Sequence, residues 1–283
     1  MISKLADPPV LECHMFGTGH CLASENHLIR GGRHVTVECH SLVALLRHPT
    51  HGWLLWDAGY APRMLEETRR LPYAIYRAVT SLRLRPELAA VEQIGRWHLT
   101  ASDIDRVIIS HFHADHIAGL RDFPRARFVV SASAYQGIAG RHGVSALRRG
   151  MIPALLPEDF AARAESLPDF AGPTLPGLGP THDLFDDGSL LMVVLPGHAR
   201  GQLGMLVHTT QGKVLFVADA CWLMRSIRES RTPHPITNLF VDDPRAVRTT
   251  IDHLGMFAQA HPDITIIPSH CPETFAHAVV RWE

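Results

Sequence analysis

Only five of the 283 residues are cysteine, an odd number with no close pair: Cys13, Cys21, Cys39, Cys221 and Cys271. Neither a disulfide framework nor a cysteine-rich zinc site is indicated, so reduced thiols are expected. An excess of either charge is also missing, since 27 basic residues stand against 28 acidic ones. Nothing in that balance draws the chain to nucleic acid or to an anionic membrane surface. No apolar run is long enough to span a bilayer, and residues 1–9 lack the apolar core of a secretion signal, so the expected compartment is the cytoplasm. With 46% hydrophobic residues the chain can bury a large core, and residues 1–283 are read as a single domain.

What the chain does have is histidine, 20 of them, and one dense cluster. Behind the apolar run Arg106-Val107-Ile108-Ile109, which reads as a buried strand, His111, His113, Asp115 and His116 crowd four metal-ligand side chains onto a short loop. A lone histidine is usually a surface or core residue. Four ligand types at this spacing behind a strand point instead to metal. Alternate residues of an extended loop point the same way, so His111 and His113 can grip one ion while Asp115 and His116 face a second.

Two ions need more ligands than one loop offers, and three further strand ends supply them. The run Leu190 to Leu195 ends in Pro196-Gly197-His198, the run Val214 to Ala218 ends in Asp219, and Ile264 to Ser269 leads into His270. Each is the first ligand-type residue after a buried strand, and the carboxyl ends of strands are where α/β sheets bind ligands.

These motifs, in this order, resemble the metallo-β-lactamase superfamily, whose pattern is His-x-His-x-Asp-His, then Gly-His, then Asp, then Ser-His or Gly-His near the end. The likeness runs from Leu54-Leu55-Trp56-Asp57-Ala58-Gly59 to His270. It implies that His111, His113 and His198 bind one metal, that Asp115, His116 and His270 bind the other, and that Asp219 bridges both. Asp57 is implied to support the metal loop from behind rather than to bind metal. The implied cofactors are two divalent ions, zinc first, with iron, manganese and cobalt as alternatives. Their chemistry is hydrolysis, with Asp219 holding both ions and Asp115 also passing a proton to the leaving group.

Among branches of the superfamily the chain looks most like the N-acyl-homoserine lactonases, by Gly17-Thr18-Gly19-His20-Cys21, Trp56-Asp57-Ala58-Gly59 and Asp219-Ala220-Cys221. One departure is Trp222, at a position commonly tyrosine in that group. An indole N–H donates a hydrogen bond but is no phenol acid, so Trp222 is read as a pocket wall that governs binding more than chemistry. The expected substrate is a small lactone or ester. The alternatives are a mononuclear iron sulfur dioxygenase of the same fold, or a hydrolase of thioesters or phosphodiesters.

The strand pattern falls into two halves, with strands near 10–16, 35–46, 52–56, 107–109 and 128–131, then near 183–185, 190–195, 204–208, 214–218 and 264–268. A capped turn is expected at Thr100 to Asp105 and a helix over Pro244 to Ala260, with Val247, Ile251, Leu254 and Phe257 on one face. The expected fold is an α/β, αββα sandwich of the metallo-β-lactamase type: two mixed sheets with helices on their outer faces. Segments 61–98 and 135–180 exceed what that core needs. They are read as lids over the metal edge, as ordinary surface helices and loops, or as the interface of a homodimer.

Overall fold

The computed structural model describes residues 8–168 and 170–282, so most of the stretch read above as lacking a secretion signal lies outside the described residues. The first half of the chain builds one sheet from β1 (Glu12–Ser24), β2 (Thr36–His48), β3 (Gly52–Trp56), β4 (Ser81–Arg83), β5 (Ile104–Ile108), β6 (Arg127–Ser131) and β7 (Ala164–Leu167), in the order β4-β1-β2-β3-β5-β6-β7. The second half adds β8 (Thr174–Leu175), β9 (Gly179–Asp183), β10 (Leu190–Val194), β11 (Leu203–Thr209), β12 (Gly212–Ala218) and β13 (Ile264–Pro268), in the order β13-β12-β11-β10-β9-β8.

Side chains alternate across a strand, and both faces of the central strands are apolar. Leu42, Ala44, Leu46, Leu54 and Trp56 point between the sheets and meet Met192, Met205, Val207, Val214 and Phe216. Their neighbours Val43, Leu45, Leu55 and Val107 point outward into a second core, together with Ile94, Ile117 and Phe123. On the other sheet, Val193, Leu195, Leu215 and Val217 pack against Val247, Ile251, Leu254 and Phe257 of the helix Pro244–Ala260. Each such side chain contributes about 1.5–3 kcal/mol when fully buried, and the result is the αββα sandwich.

The differences from the sequence reading lie at edges and turns. The first strand does not stop at Phe16 but continues to Ser24, through a register shift against β2 between Gly17 and His20. The strand expected near 183–185 lies at Gly179–Asp183, because the Asp183 carboxylate accepts from the backbone N–H groups of Phe185 and Gly188 and turns the chain there. Strand β7 lacks a simple apolar pattern because it closes an edge, where Glu165 pairs with Arg106 and Arg127. The turn at Thr100 is a capping box on a short 3-10 helix, Thr100 and Asp103 bonding each other's backbone.

Strands β3 and β5 run parallel, as do β12 and β13, and the loops that leave their carboxyl ends meet at one edge. Beside that edge the turn after β10 is held against the helix Pro244–Ala260, for Asp243 N–H donates to Gly197 O and Asp242 N–H to His198 O. Gly197 has φ +130°, and a Cβ there would stand 2.4 Å from the Val247 nitrogen. A Gly197→Ala substitution combines left-handed strain with a backbone clash, and is expected to cost at least about 2 kcal/mol. Thermal or urea denaturation of the two proteins checks this value.

Candidate metal centre

Asp219 is the centre of the converging loops. Its Oδ2 lies 3.3 Å from His198 Nε2 and 3.1 Å from His270 Nε2, and its Oδ1 lies 3.2 Å from His116 Nε2. Around it the ligand-type atoms form two groups, each within 4.8 Å of one another: His111, His113, His198 and Asp219 in one, Asp115, His116 and His270 in the other. All seven residues named from the sequence are therefore brought together, each from the segment in which it was read.

Three of the five imidazoles are aimed by a partner on the far side of the ring. Asp57, fully buried, accepts from His116 Nδ1 at 2.7 Å, from the Ser110 hydroxyl at 2.8 Å and from Ser110 N–H at 2.8 Å. The Ser110 oxygen in turn lies 3.0 Å from His111 Nδ1. His270 donates its Nδ1–H to the His40 carbonyl at 2.6 Å. Such partners fix the tautomer, leaving the other ring nitrogen free for an ion. His113 is placed by packing: Gly150, at φ +63°, lies so close to its ring that a Cβ would stand 2.5 Å away, and Ala114 N–H donates to Gly150 O. Two non-glycine residues in left-handed backbone, Asp57 at φ 59° and Ala218 at φ 46°, turn the chain out of β3 and β12 at this site. Strain of this kind costs about 1–3 kcal/mol and persists where the surroundings hold it in place.

The side chains present fit a pair of cations. Three buried atoms at the centre, His111 Nε2, His116 Nε2 and Asp219 Oδ1, make no hydrogen bond of good geometry among the described residues, although the last two face each other at 3.2 Å, and buried polar atoms left so are costly. Charge tells the same story. Burial opposes a proton on His116, yet Asp57, Asp115 and Asp219 overcome it and push its pKa up to about 10. His270 is raised in the same way against its burial, by Asp219 and Asp115. Burial holds His111 and His113 below the usual histidine range and takes His198 down to about 3. Burial also opposes charge on the carboxylates, but His116 and His270 hold Asp115 at about 2, and His270, His116 and His198 depress Asp219. Neutral imidazoles and ionised carboxylates are the forms that bind divalent ions, and an N/O donor set of this kind suits zinc as well as iron, manganese or cobalt.

The site opens into a cavity of about 300 Å³. Leu22, Leu28, Ile75, Val79, Trp222 and Phe240 give it apolar walls, while Asp115, Asp219 and His270 stand at its base. Trp222 is more than a wall, since its Nε1–H donates to Asp219 Oδ2 at 3.0 Å. Cys221 and Cys271 are buried, and the Cys271 sulfur accepts from Met224 N–H at 3.4 Å, a packing role. Sequence reasoning did not single out Ser110, the His40 carbonyl or the cavity residues Tyr60 and Leu28. For Ser110 its place between β5 and His111 was a usable signal; a backbone carbonyl from a distant strand leaves none.

The pattern of the metallo-β-lactamase superfamily matches residues 36–270. An N-acyl homoserine lactonase, AttM of Rhizobium radiobacter, is 28% identical over 201 residues, which cover 69% of this chain and 68% of the relative. Among solved structures, an N-acyl homoserine lactone hydrolase with N-hexanoyl-L-homoserine bound at its catalytic metal centre superposes with a TM-score of 0.72 at 16% identity, covering 95% of this chain and 96% of the other. The dizinc quorum-quenching lactonase AidC gives a TM-score of 0.63 at 15% identity over 94% of this chain and 90% of its own; both likenesses are of fold. By its family pattern, its sandwich and its His/Asp centre, the chain belongs to the metallo-β-lactamase superfamily, among the metal-dependent hydrolases.

Proposed function

We propose that this hydrolase opens lactones or cleaves esters that carry an apolar acyl portion, N-acyl homoserine lactones being the leading class. The observation that carries the reading is the cavity, which joins the His/Asp centre to an apolar wall and has no lysine or arginine among its described lining residues. A neutral acyl chain gains from desolvation along that wall, whereas the polar or charged groups that flank a phosphodiester would find no lysine or arginine there beyond the metal centre itself. The lactonases among its relatives agree with this class.

In this reading His111, His113 and His198 hold one ion, Asp115, His116 and His270 hold the other, and Asp219 reaches both. The two separate groups of donors favour two ions over the single iron of a dioxygenase. Bound there, two divalent ions supply a water nucleophile at neutral pH and polarise the substrate carbonyl. The protein does the rest. Asp115, whose Oδ2 lies 3.3 Å from His270 Nε2, carries a proton to the leaving oxygen in this reading. Asp57 and the His40 carbonyl keep His116 and His270 turned inward, and Trp222 holds Asp219 by one oxygen. Ile75 and Val79 from segment 61–98, with Leu147 and Gly150 from segment 135–180, line the cavity, and we assign both segments to a lid that shields the acyl chain from water, within one domain.

A substrate panel with the metal-reconstituted protein tests the class: homoserine lactones of several acyl lengths and aryl esters should be hydrolysed, and phosphodiesters at least about a hundredfold more slowly in kcat/KM. Preference for phosphodiesters or thioesters would defeat it. Removing the bridge by Asp219→Ala should lower bound metal below two ions per chain and cut turnover by roughly a thousandfold or more, several kcal/mol of lost stabilisation, while circular dichroism shows the fold retained. Metal content and turnover near those of the unmodified protein would show that Asp219 is no bridge.

Trp222→Phe separates wall from hydrogen bond. The apolar surface stays but the N–H to Asp219 is lost, so metal affinity or kcat should fall about 10–100-fold, as for other groups that orient a ligand, with KM little changed. An unchanged metal affinity and kcat would leave the indole a wall alone.

A further inference from the structure

A second cluster of metal-ligand side chains lies outside this centre, on the face of the β1–β2 ladder. Strand pairing sets His20 directly opposite His40, and Glu38 stands two residues from His40 on the same strand, hence on the same face. The carboxylate already lies between the two rings. Its Oε1 is 3.8 Å from His20 Nε2 and its Oε2 is 3.6 Å from His40 Nε2, and the ring centroids are 5.4 Å apart. All three ligand atoms fall within 4.8 Å of one another.

Two independent features make this more than crowding. The register shift between Gly17 and His20 is what brings His20 opposite His40, and bulges beside active sites commonly re-aim a side chain in this way. The His40 ring is also held in place, stacked on Phe275 at 3.8 Å with an 8° interplanar angle. Neither ring makes a hydrogen bond to a described residue. The contrast is His48, grouped with His51 and Asp187: its Nε2 is bonded to Asp187 and Ser189, and its Nδ1 accepts from the backbone of Thr50 and His51, so both nitrogens are spent. The opposing charge near His20 is Arg83, its partner on β4, whose guanidinium donates to the Leu82 carbonyl.

We infer that His20, Glu38 and His40 form a third, solvent-accessible cation site, distinct from the buried pair. Two imidazoles and a carboxylate are a donor set for zinc and other borderline divalent ions, and bonds of about 2.0–2.2 Å require only modest rotation of the exposed Glu38 side chain. With three protein ligands the coordination sphere keeps an open position. The site is one residue's backbone from the catalytic edge, because the carbonyl of His40 accepts the Nδ1–H of His270. Occupancy would therefore pin the strand that orients a ligand of the inner centre.

Holoenzyme loaded with zinc, then equilibrated with free Zn²⁺ at micromolar concentration and analysed for bound metal, tests the site. The unmodified chain is expected to hold about three ions and the His20→Ala and Glu38→Gln variants about two, the third ion being the weakest and the first removed by a mild chelator. Both changes fall on partly or largely exposed side chains, and equal melting curves will show that the fold is kept. No extra ion in the unmodified chain, or the same extra ion in both variants, would overturn the inference. Loss of the inner pair in all proteins, with one ion still separating the unmodified chain from its variants, would instead defeat the inner-centre assignment and leave this one standing.

Discussion

Two buried carboxylates, Asp57 and Asp219, and the partly buried Asp115, set beside five imidazoles, are the constraint on which the rest of this structure depends. Asp57 and Asp219 are almost wholly shielded from water, and uncompensated charges in such a place are expensive. The protein answers in two ways. Asp57 is matched fully by His116 and both donors of Ser110, whereas Asp219 and its neighbours are left with open valences. His116 and His270 favour holding protons against the desolvation cost, a charge pattern that two divalent ions would replace with a larger one. A buried polar cluster held half satisfied by protein alone is poor stabilisation and good metal chemistry.

The sandwich is what makes that arrangement affordable. Parallel pairs β3–β5 and β12–β13 send their loops to one edge, where Leu203 N–H donates to Ser110 O and so joins the two halves, while Asp57 N–H to Ile108 O and Ser269 N–H to Ala218 O tie the loops within each half. The left-handed backbone at Asp57 and Ala218 is tolerated because the strands on each side are buried in continuous apolar layers.

How much of this was legible in the chain depends on the range of the interaction. His111, His113, Asp115 and His116 are local, and His198, Asp219 and His270 each follow an apolar run, so strand periodicity alone picked them out. The helix Pro244–Ala260 was equally readable, for its apolar stripe and its Asp243 cap are both local. The extension of β1 past Gly17 was not, because two glycines within three residues interrupt the apolar pattern and only pairing with β2 carries the strand across them as a bulge. Strands β4, β7 and β8 are short edge pieces whose state is decided by their neighbours. The same holds for the site's supports. Asp57 was reached through a family resemblance, and the His40 carbonyl, the Trp222–Asp219 bond and the cavity wall exist only once strands far apart in sequence are joined.

That division has a functional side. The inner donors come from strand ends embedded in the core, while much of the cavity wall comes from helices and loops outside it: Ile75 and Val79 are about half exposed or more, and Phe240 is similarly open. Metal geometry tolerates little displacement, and packing of the sandwich supplies that rigidity. A cavity wall needs only apolar area, which loosely held side chains provide at small cost. Substitution in the wall can therefore reshape the cavity without disturbing the inner donors. Trp222 is the exception that joins the two layers, lining the cavity with its N–H on Asp219, so that a change of the wall at this position is also a change at the central carboxylate.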